Sequence, residues 1–238
     1  MKNFILNGFF LLLLLSFVAC NNDDDAPELY GDAYILSEDS ISNTGEKAVY
    51  YNLVLSSSCN NYIINSTTAN MGTKSYTLNT SDGSNFYAKE GPFSTYDDLI
   101  GKYTFNFSFI LTDPDILYDE ITSEVLMPAT ITSCTGADDG NKLTISLKWN
   151  RLENADALFV RIKDSTNKII FTSMTNYYDY YTLLDNSEYT ISNTTGTWFE
   201  DATLSKDETY TVEIVASVLD FGLTIQSESL AKAIVIWE

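Results

Sequence analysis

Lys102-Tyr103-Thr104-Phe105-Asn106-Phe107-Ser108-Phe109-Ile110-Leu111 is the stretch that decides the fold. Tyr103, Phe105, Phe107 and Phe109 share one parity, while Thr104, Asn106 and Ser108 share the other. Successive side chains of a strand point to opposite faces, so this segment reads as a half-buried strand, aromatic toward a core and polar toward water.

The same signal continues in both directions. Toward the amino terminus, Glu46 to Ser56 carries Ala48, Tyr50, Asn52 and Val54 on one parity and Val49, Tyr51, Leu53 and Leu55 on the other. That is a strand buried largely on both faces. Asn- and Ser-rich turns at Cys59 to Asn65 and Asn79 to Asn85 separate short β-like runs, and Ser94 to Ile100 is expected to make one short helical turn capped by Ser94. Asp113-Pro114-Asp115 turns the chain into a strand from Ile116 to Leu126.

Met127-Pro128 marks a boundary, because proline cannot donate to a ladder and suits a strand edge or junction. A second series of strands follows: Leu143 to Trp149, Ala157 to Lys163, Lys168 to Ser173, Tyr210 to Ser217 and Ser229 to Trp237. No amphipathic helix longer than a turn interrupts them. Short alternating strands without helices to cover a parallel sheet make antiparallel sandwiches the economical fold.

Leu204-Ser205-Lys206-Asp207-Glu208-Thr209-Tyr210-Thr211-Val212-Glu213-Ile214 resembles the corner of fibronectin type III domains, where a leucine six residues before a tyrosine leads into strand F. Trp149 and Phe159-Val160-Arg161-Ile162 occupy the places of that family's core tryptophan and third strand. The resemblance covers Pro128 to Glu238. A weaker corner, Leu99-Ile100-Gly101-Lys102-Tyr103, implies an immunoglobulin-like partner in the first half. The expected fold is therefore all-β, with two antiparallel immunoglobulin-like, fibronectin type III-like sandwiches in tandem at 29–127 and 128–238. Trp149 and Tyr210 are expected in cores.

Between these landmarks lies an insertion: Asn176-Tyr177-Tyr178-Asp179-Tyr180-Tyr181, then Thr182 to Leu184, a turn at Asp185-Asn186, and Trp198-Phe199. Adjacent tyrosines of a strand cannot all enter one core. Two readings stay open. Tyr177, Tyr178, Asp179, Tyr180, Tyr181 and Trp198 form a surface for a glycan or a protein partner, or the rings cover a sheet face with their hydroxyls in water.

The amino terminus sets the location. Met1-Lys2 and the apolar run Phe4 to Ala19 have the order of an export signal (1–19), and the run is shorter than the roughly 20 residues that span a bilayer. Phe17-Val18-Ala19-Cys20 resembles the bacterial lipoprotein box, with Phe17 in place of the usual leucine. The resemblance implies acylation of Cys20, a tether over 20–28 and attachment to the lipid bilayer. Asn21-Asn22-Asp23-Asp24-Asp25 is similar to the tag that sends Bacteroidota lipoproteins to the outer face of the outer membrane, though it also suits a plain solvated tether.

Composition excludes several functions. With 33 acidic residues against 13 basic ones and a formal charge of −20, the chain lacks the basic cluster that nucleic acid requires, and lipid rather than charge must hold it to a membrane. The absence of histidine removes Ser/Cys-His catalysis and every histidine-containing metal site. No metal or cofactor is expected, since Asp97-Asp98 and Asp138-Asp139-Gly140 lack calcium-loop spacing and read as solvated turns. Cys59 and Cys134 are expected at opposite poles, more than about 25 Å apart, and so unpaired. Asp39-Ser40-Ile41 and Asp164-Ser165-Thr166 resemble Bacteroidota O-glycosylation sequons, and Asn65, Asn79, Asn106 and Asn193 fit N-x-Ser/Thr. The expected function is a non-catalytic binding or adhesion module. The alternatives are a structural spacer or fimbria-like subunit and, more remotely, a glycoside hydrolase working through two carboxylates.

Overall fold

The computed structural model describes residues 28–41, 47–60, 62–80, 83–110, 113–122, 125–140, 142–174, 183–200, 202–219 and 224–237. Residues 1–19, read above as an export signal, Cys20 and the acidic run lie outside them. The first half contributes β1 (Glu28–Ile41), β2 (Lys47–Asn60), β3 (Ile64–Met71), β4 (Lys74–Thr80), β5 (Asn85–Phe93), β6 (Gly101–Phe109) and β7 (Asp115–Ile121). The second contributes β8 (Ile131–Asp138), β9 (Leu143–Trp149), β10 (Ala157–Lys163), β11 (Ile169–Thr172), β12 (Glu188–Ser192), β13 (Thr197–Trp198), β14 (Thr211–Leu219), β15 (Ile225–Ile234) and β16 (Ile236–Trp237). The protein is all-β and its sheets are large and mostly antiparallel.

β6 behaves as its alternation dictates. Tyr103, Phe105, Phe107 and Phe109 of β6 are buried while Thr104, Asn106 and Ser108 face outward. The four rings anchor a core with Ala33 and Ile35 of β1, Leu53 and Leu55 of β2, Phe86 of β5 and Ile121 of β7. Each such side chain contributes about 1.5–3 kcal/mol on burial. The strands run in the order β1-β2-β5-β4-β3-β6-β7, and the sheet curls until β7 returns against β1. Gly31 marks that approach, since a Cβ there would lie 2.9 Å from Phe105 and Leu117 side-chain atoms. Nearby, Ala33 N donates to Asp119 Oδ2 at 2.7 Å, so a carboxylate caps the backbone where the two edges meet without a ladder.

The second half is a sandwich. The sheet β12-β9-β8-β16 faces β13-β11-β10-β14-β15. Ile145, Leu147 and Trp149 pack between them against Leu158, Val160, Ile162, Phe171, Val212 and Ile214. Trp149 is 3% exposed. Tyr210 reaches back to its own approach: Ser205 N donates to its hydroxyl at 2.9 Å, and the hydroxyl donates to Thr203 O at 3.4 Å, with Leu204 buried beside it. The weaker corner forms the same way, with the Tyr103 hydroxyl donating to Leu99 O at 2.8 Å. Cys59 and Cys134 are free buried thiols, one in each core.

Three expectations need correction. The 3₁₀ turn spans Asp97–Leu99 with Tyr96, not Ser94, at its cap, and no side chain caps it. The strand placed at Ile116 to Leu126 ends at Ile121; Leu126 instead leaves the sheet and enters the second core. Nor are the halves simply strung end to end. β1 pairs in parallel with β15 over Ile35↔Ser227 to Glu38↔Leu230, which fuses the two halves into a twelve-stranded sheet. Leu126 locks this seam. Its N–H donates to Ser227 Oγ at 2.8 Å, its carbonyl accepts from Ser37 Oγ, and Ser227 Oγ reaches Ile35 O at 3.3 Å.

Candidate functional site

Residues 175–182 lie outside the described structure, so the places of Tyr177, Tyr178, Asp179, Tyr180 and Tyr181 are not given by it. Trp198 is described. It sits in β13 opposite Phe171 of β11, with ring centroids 4.8 Å apart, and its Nε1 donates to Ser192 O at 3.1 Å. Half-buried against the second core, the indole forms a wall of the sandwich edge. Gly196 permits this approach. Its φ is +57°, and a Cβ would meet Thr172 O at 2.3 Å. Thr197 Oγ1 then donates to Met174 O at 2.8 Å, which fixes the point where the chain leaves for the tyrosines.

Met174 does not belong to either sandwich core. It is buried in a third apolar cluster with Leu36, Val54, Phe159, Val215 and Leu230, on the opposite face of the fused sheet. Strand register explains why these residues meet. Phe159 lies across from Val215, Val215 from Leu230, Leu230 from Glu38, Leu36 from Glu228, and Val54 from Tyr34. Tyr34 and Tyr87 pack at the rim. The two-faced burial read in Glu46 to Ser56 has its cause here: Leu53 and Leu55 point into the first core, and Val54 points into this cluster.

Charges surround the cluster in an ordered way. Glu213, 1% exposed, accepts from Arg161 Nε and from Lys163 Nζ at 3.0 Å. Glu38 lies between Lys89 at 2.6 Å and Lys232 at 3.4 Å. Burial works to raise the Glu38 carboxyl, but hydrogen bonds and attraction from the two lysines outweigh it and hold the carboxyl below its usual range.

Glu228 is treated differently. Its basic neighbours are committed, Arg161 to Glu213 and Lys89 to Glu38. Burial therefore dominates, Arg161 and Lys89 offset only part of it, Glu38 and Glu213 add repulsion, and the carboxyl is pushed up to about 7. The same burial, together with Glu228, raises the Tyr34 hydroxyl well above its ordinary value and pushes Tyr87 up to about 12. At neutral pH the site thus holds a carboxyl able to donate or accept a hydrogen bond beside two protonated phenols. Aromatic area with adaptable hydrogen-bonding groups is the chemistry of recognition. Sequence reasoning missed Glu228, Tyr34 and Tyr87 because only the β1–β15 pairing, which has no local signal, brings them together.

The weaker motifs are absorbed by turns. Asp138 accepts from Gly140 N at 2.8 Å and from Lys206 Nζ at 3.0 Å, and Asp139 Oδ1 accepts from Lys142 N at 2.7 Å. Asp164 Oδ1 collects Thr166 N, Thr166 Oγ1 and Lys168 N, which leaves Ser165 exposed at the tip of the turn. Among the described residues, no three Cys, Asp or Glu side chains gather into a metal-binding group.

No protein-family model matches the chain, and no curated protein matches it. Solved structures that match the chain include a biofilm-associated protein's BSP domain, at 17% identity over 76% of this chain and 26% of that one, with a TM-score of 0.24. A DUF3823 family protein from Bacteroides ovatus is 9% identical over 85% of this chain and 98% of its own, with a TM-score of 0.24. A Ca²⁺-stabilised adhesin from an Antarctic bacterium, described as binding ice, is 9% identical over 87% of this chain and 50% of its own, with a TM-score of 0.28. The chain spans about a quarter of the first of these and half of the third. With TM-scores no higher than 0.28, these likenesses do not bear on what this chain binds.

Proposed function

We propose that the protein is a non-catalytic binding or adhesion module, anchored to the outer membrane by acylated Cys20 and facing the cell surface, with its ligand surface at the aromatic insertion. The observation that carries this reading is the junction at Met174. There the chain leaves for Tyr177 to Tyr181 from the Phe159 end of an apolar cluster that runs across the fused sheet to Tyr34 and Tyr87. Recognition residues held by a rigid scaffold are the usual arrangement of binding sites. The ligand class is a glycan or a protein partner of an outer-membrane assembly.

Two sandwiches, 29–127 and 128–238, remain the proposed units. In the second, the order β12-β9-β8 facing β11-β10-β14-β15 and the Tyr210 corner support a fibronectin type III-like identity. β1 begins at Glu28, so a tether of about 8 residues would hold the fold within about 28 Å of the bilayer.

Two measurements test the proposal. Alkyne-palmitate labelling should mark the wild type and miss Cys20→Ala; equal labelling of both removes the anchor. On a glycan array and against outer-membrane extracts, Tyr178→Ala or Tyr180→Ala should weaken binding by about thirtyfold, since losing an aromatic hot spot costs about 2 kcal/mol, while the melting temperature barely moves. A large fall in melting temperature with unchanged binding would assign these rings to packing.

A further inference from the structure

The outer face of β3, β4, β6 and β7 carries an arrangement that the insertion does not account for. Register places Ser75, Asn70, Thr104 and Tyr118 in one row across the four strands. Thr77, Thr68, Asn106 and Ile116 form the next row. Ser66 and Ser108 extend the grid on one side, and the facing pair Lys102 and Glu120 ends it on the other. Strands lie about 4.8 Å apart and same-face neighbours about 6.7 Å, so each row is about 14 Å long.

Three features separate this face from an ordinary solvated sheet. Its ten grid positions hold no charge, in a chain with 33 acidic residues and a formal charge of −20. Every polar position is a hydroxyl or an amide, groups that either donate and accept or present both at once. Each row ends in an exposed apolar side chain on β7, Tyr118 at 68% and Ile116 at 48%. The grid is also held rigidly. The opposite sides of the same strands carry Tyr103, Phe105 and Phe107, all at most 1% exposed, and Asn106 Nδ2 donates to Thr104 O at 3.2 Å.

We propose that this face is a binding platform for a neutral, hydroxyl-rich polysaccharide, whose hydroxyls exchange hydrogen bonds with the Ser/Thr/Asn grid while a sugar ring stacks on Tyr118. Charge selects the occupant. The acidic field of the chain opposes an anionic polymer, whereas a neutral glycan meets a patch with no ion to desolvate. A protein partner would call for an apolar centre and a polar rim, and here the polarity is reversed. The platform rests on the binding-module reading and assigns it a ligand class and a second location, separate from the insertion.

The test uses the lipid-free chain that follows Cys20, titrated calorimetrically with dextran, mannan and xyloglucan, and with polygalacturonate as the anionic comparison. At least one neutral polymer should bind, with little dependence on salt, and polygalacturonate should not. Tyr118→Ala should weaken that binding tenfold or more, and Thr68→Asp with Asn106→Asp should abolish it. Should the double variant fail to fold, Tyr118→Ser at its exposed site carries the test alone. Binding that survives Tyr118→Ala but is lost in Tyr178→Ala overturns the platform and leaves the binding-module reading standing. Absence of binding to all three neutral polymers overturns the platform as well, and capture of a protein partner that depends on Tyr178 would still support the module.

Discussion

Replacing Glu228 by glutamine should make the protein more stable in alkaline solution and leave it unchanged in acid. In the unfolded chain this carboxyl titrates near 4.5; in the folded seam, packed against Tyr34 and Leu36 and repelled by Glu38 and Glu213, it titrates near 7. The folded state therefore holds the proton more tightly. Its contribution is fully present below pH 4.5 and is lost as pH rises through 7. At 1.36 kcal/mol per pH unit, the interval corresponds to about 3 kcal/mol, and partial solvent access reduces the expected effect to about 1–2 kcal/mol. Glutamine keeps the shape without the charge. Urea and thermal melts at pH 4.5, 6, 7.5 and 8.5 should show the variant and wild type coinciding at the lowest pH and diverging to about 2–8 °C in favour of the variant at the highest. The Glu38 carboxyl, held low by Lys89 and Lys232, stabilises above its usual range and loses that effect as pH falls in both proteins, while its repulsion of Glu228 is already part of the difference worked here. A difference that stays constant with pH, or a variant less stable at pH 8.5, would refute the account of the seam.

Other perturbations address separate parts of the fold. Tyr210→Phe removes the acceptor for Ser205 N and should cost about 1–3 kcal/mol in urea unfolding with an unchanged circular dichroism spectrum. Gly196→Ala should cost about 1–3 kcal/mol and red-shift Trp198 fluorescence as β13 is forced away from β11; an unaltered emission maximum would contradict the close approach. Burial pushes the Cys134 thiol up to about 11 and raises Cys59, so both should react with a thiol reagent at pH 8 only on unfolding, and non-reducing peptide mapping should recover no crosslink between them.

Local patterning made most strands legible. Leu143–Trp149 and Ala157–Lys163 match their expected bounds, and the parity of Tyr103 to Phe109 named the core face correctly, because alternation is a property of neighbouring residues. Tyr210 and Trp149 occupy their expected places for the same reason. The seam was not legible. Parallel pairing between the first long strand and the last one leaves no trace in either segment beyond the excess apolar residues of β2. Candidate residues divide likewise. Trp198 could be singled out from composition but not its packing on Phe171, and Glu228 looks in sequence like any of the acids among serines at 227–229.

The seam also fixes how the molecule would bear a load. A chain anchored at Cys20 and attached elsewhere to a ligand would be pulled at the start of β1. That strand is bonded to β2 along all of Glu28–Ile41 and to β15 over Ile35 to Glu38. Tension along the strand axis strains these ladders in shear, many bonds sharing it at once, instead of peeling them one by one from an end. In a chain anchored in that way, the first strand would act as a mechanical clamp between the membrane and both halves of the protein, a use for the parallel pairing that equilibrium stability alone would not reveal.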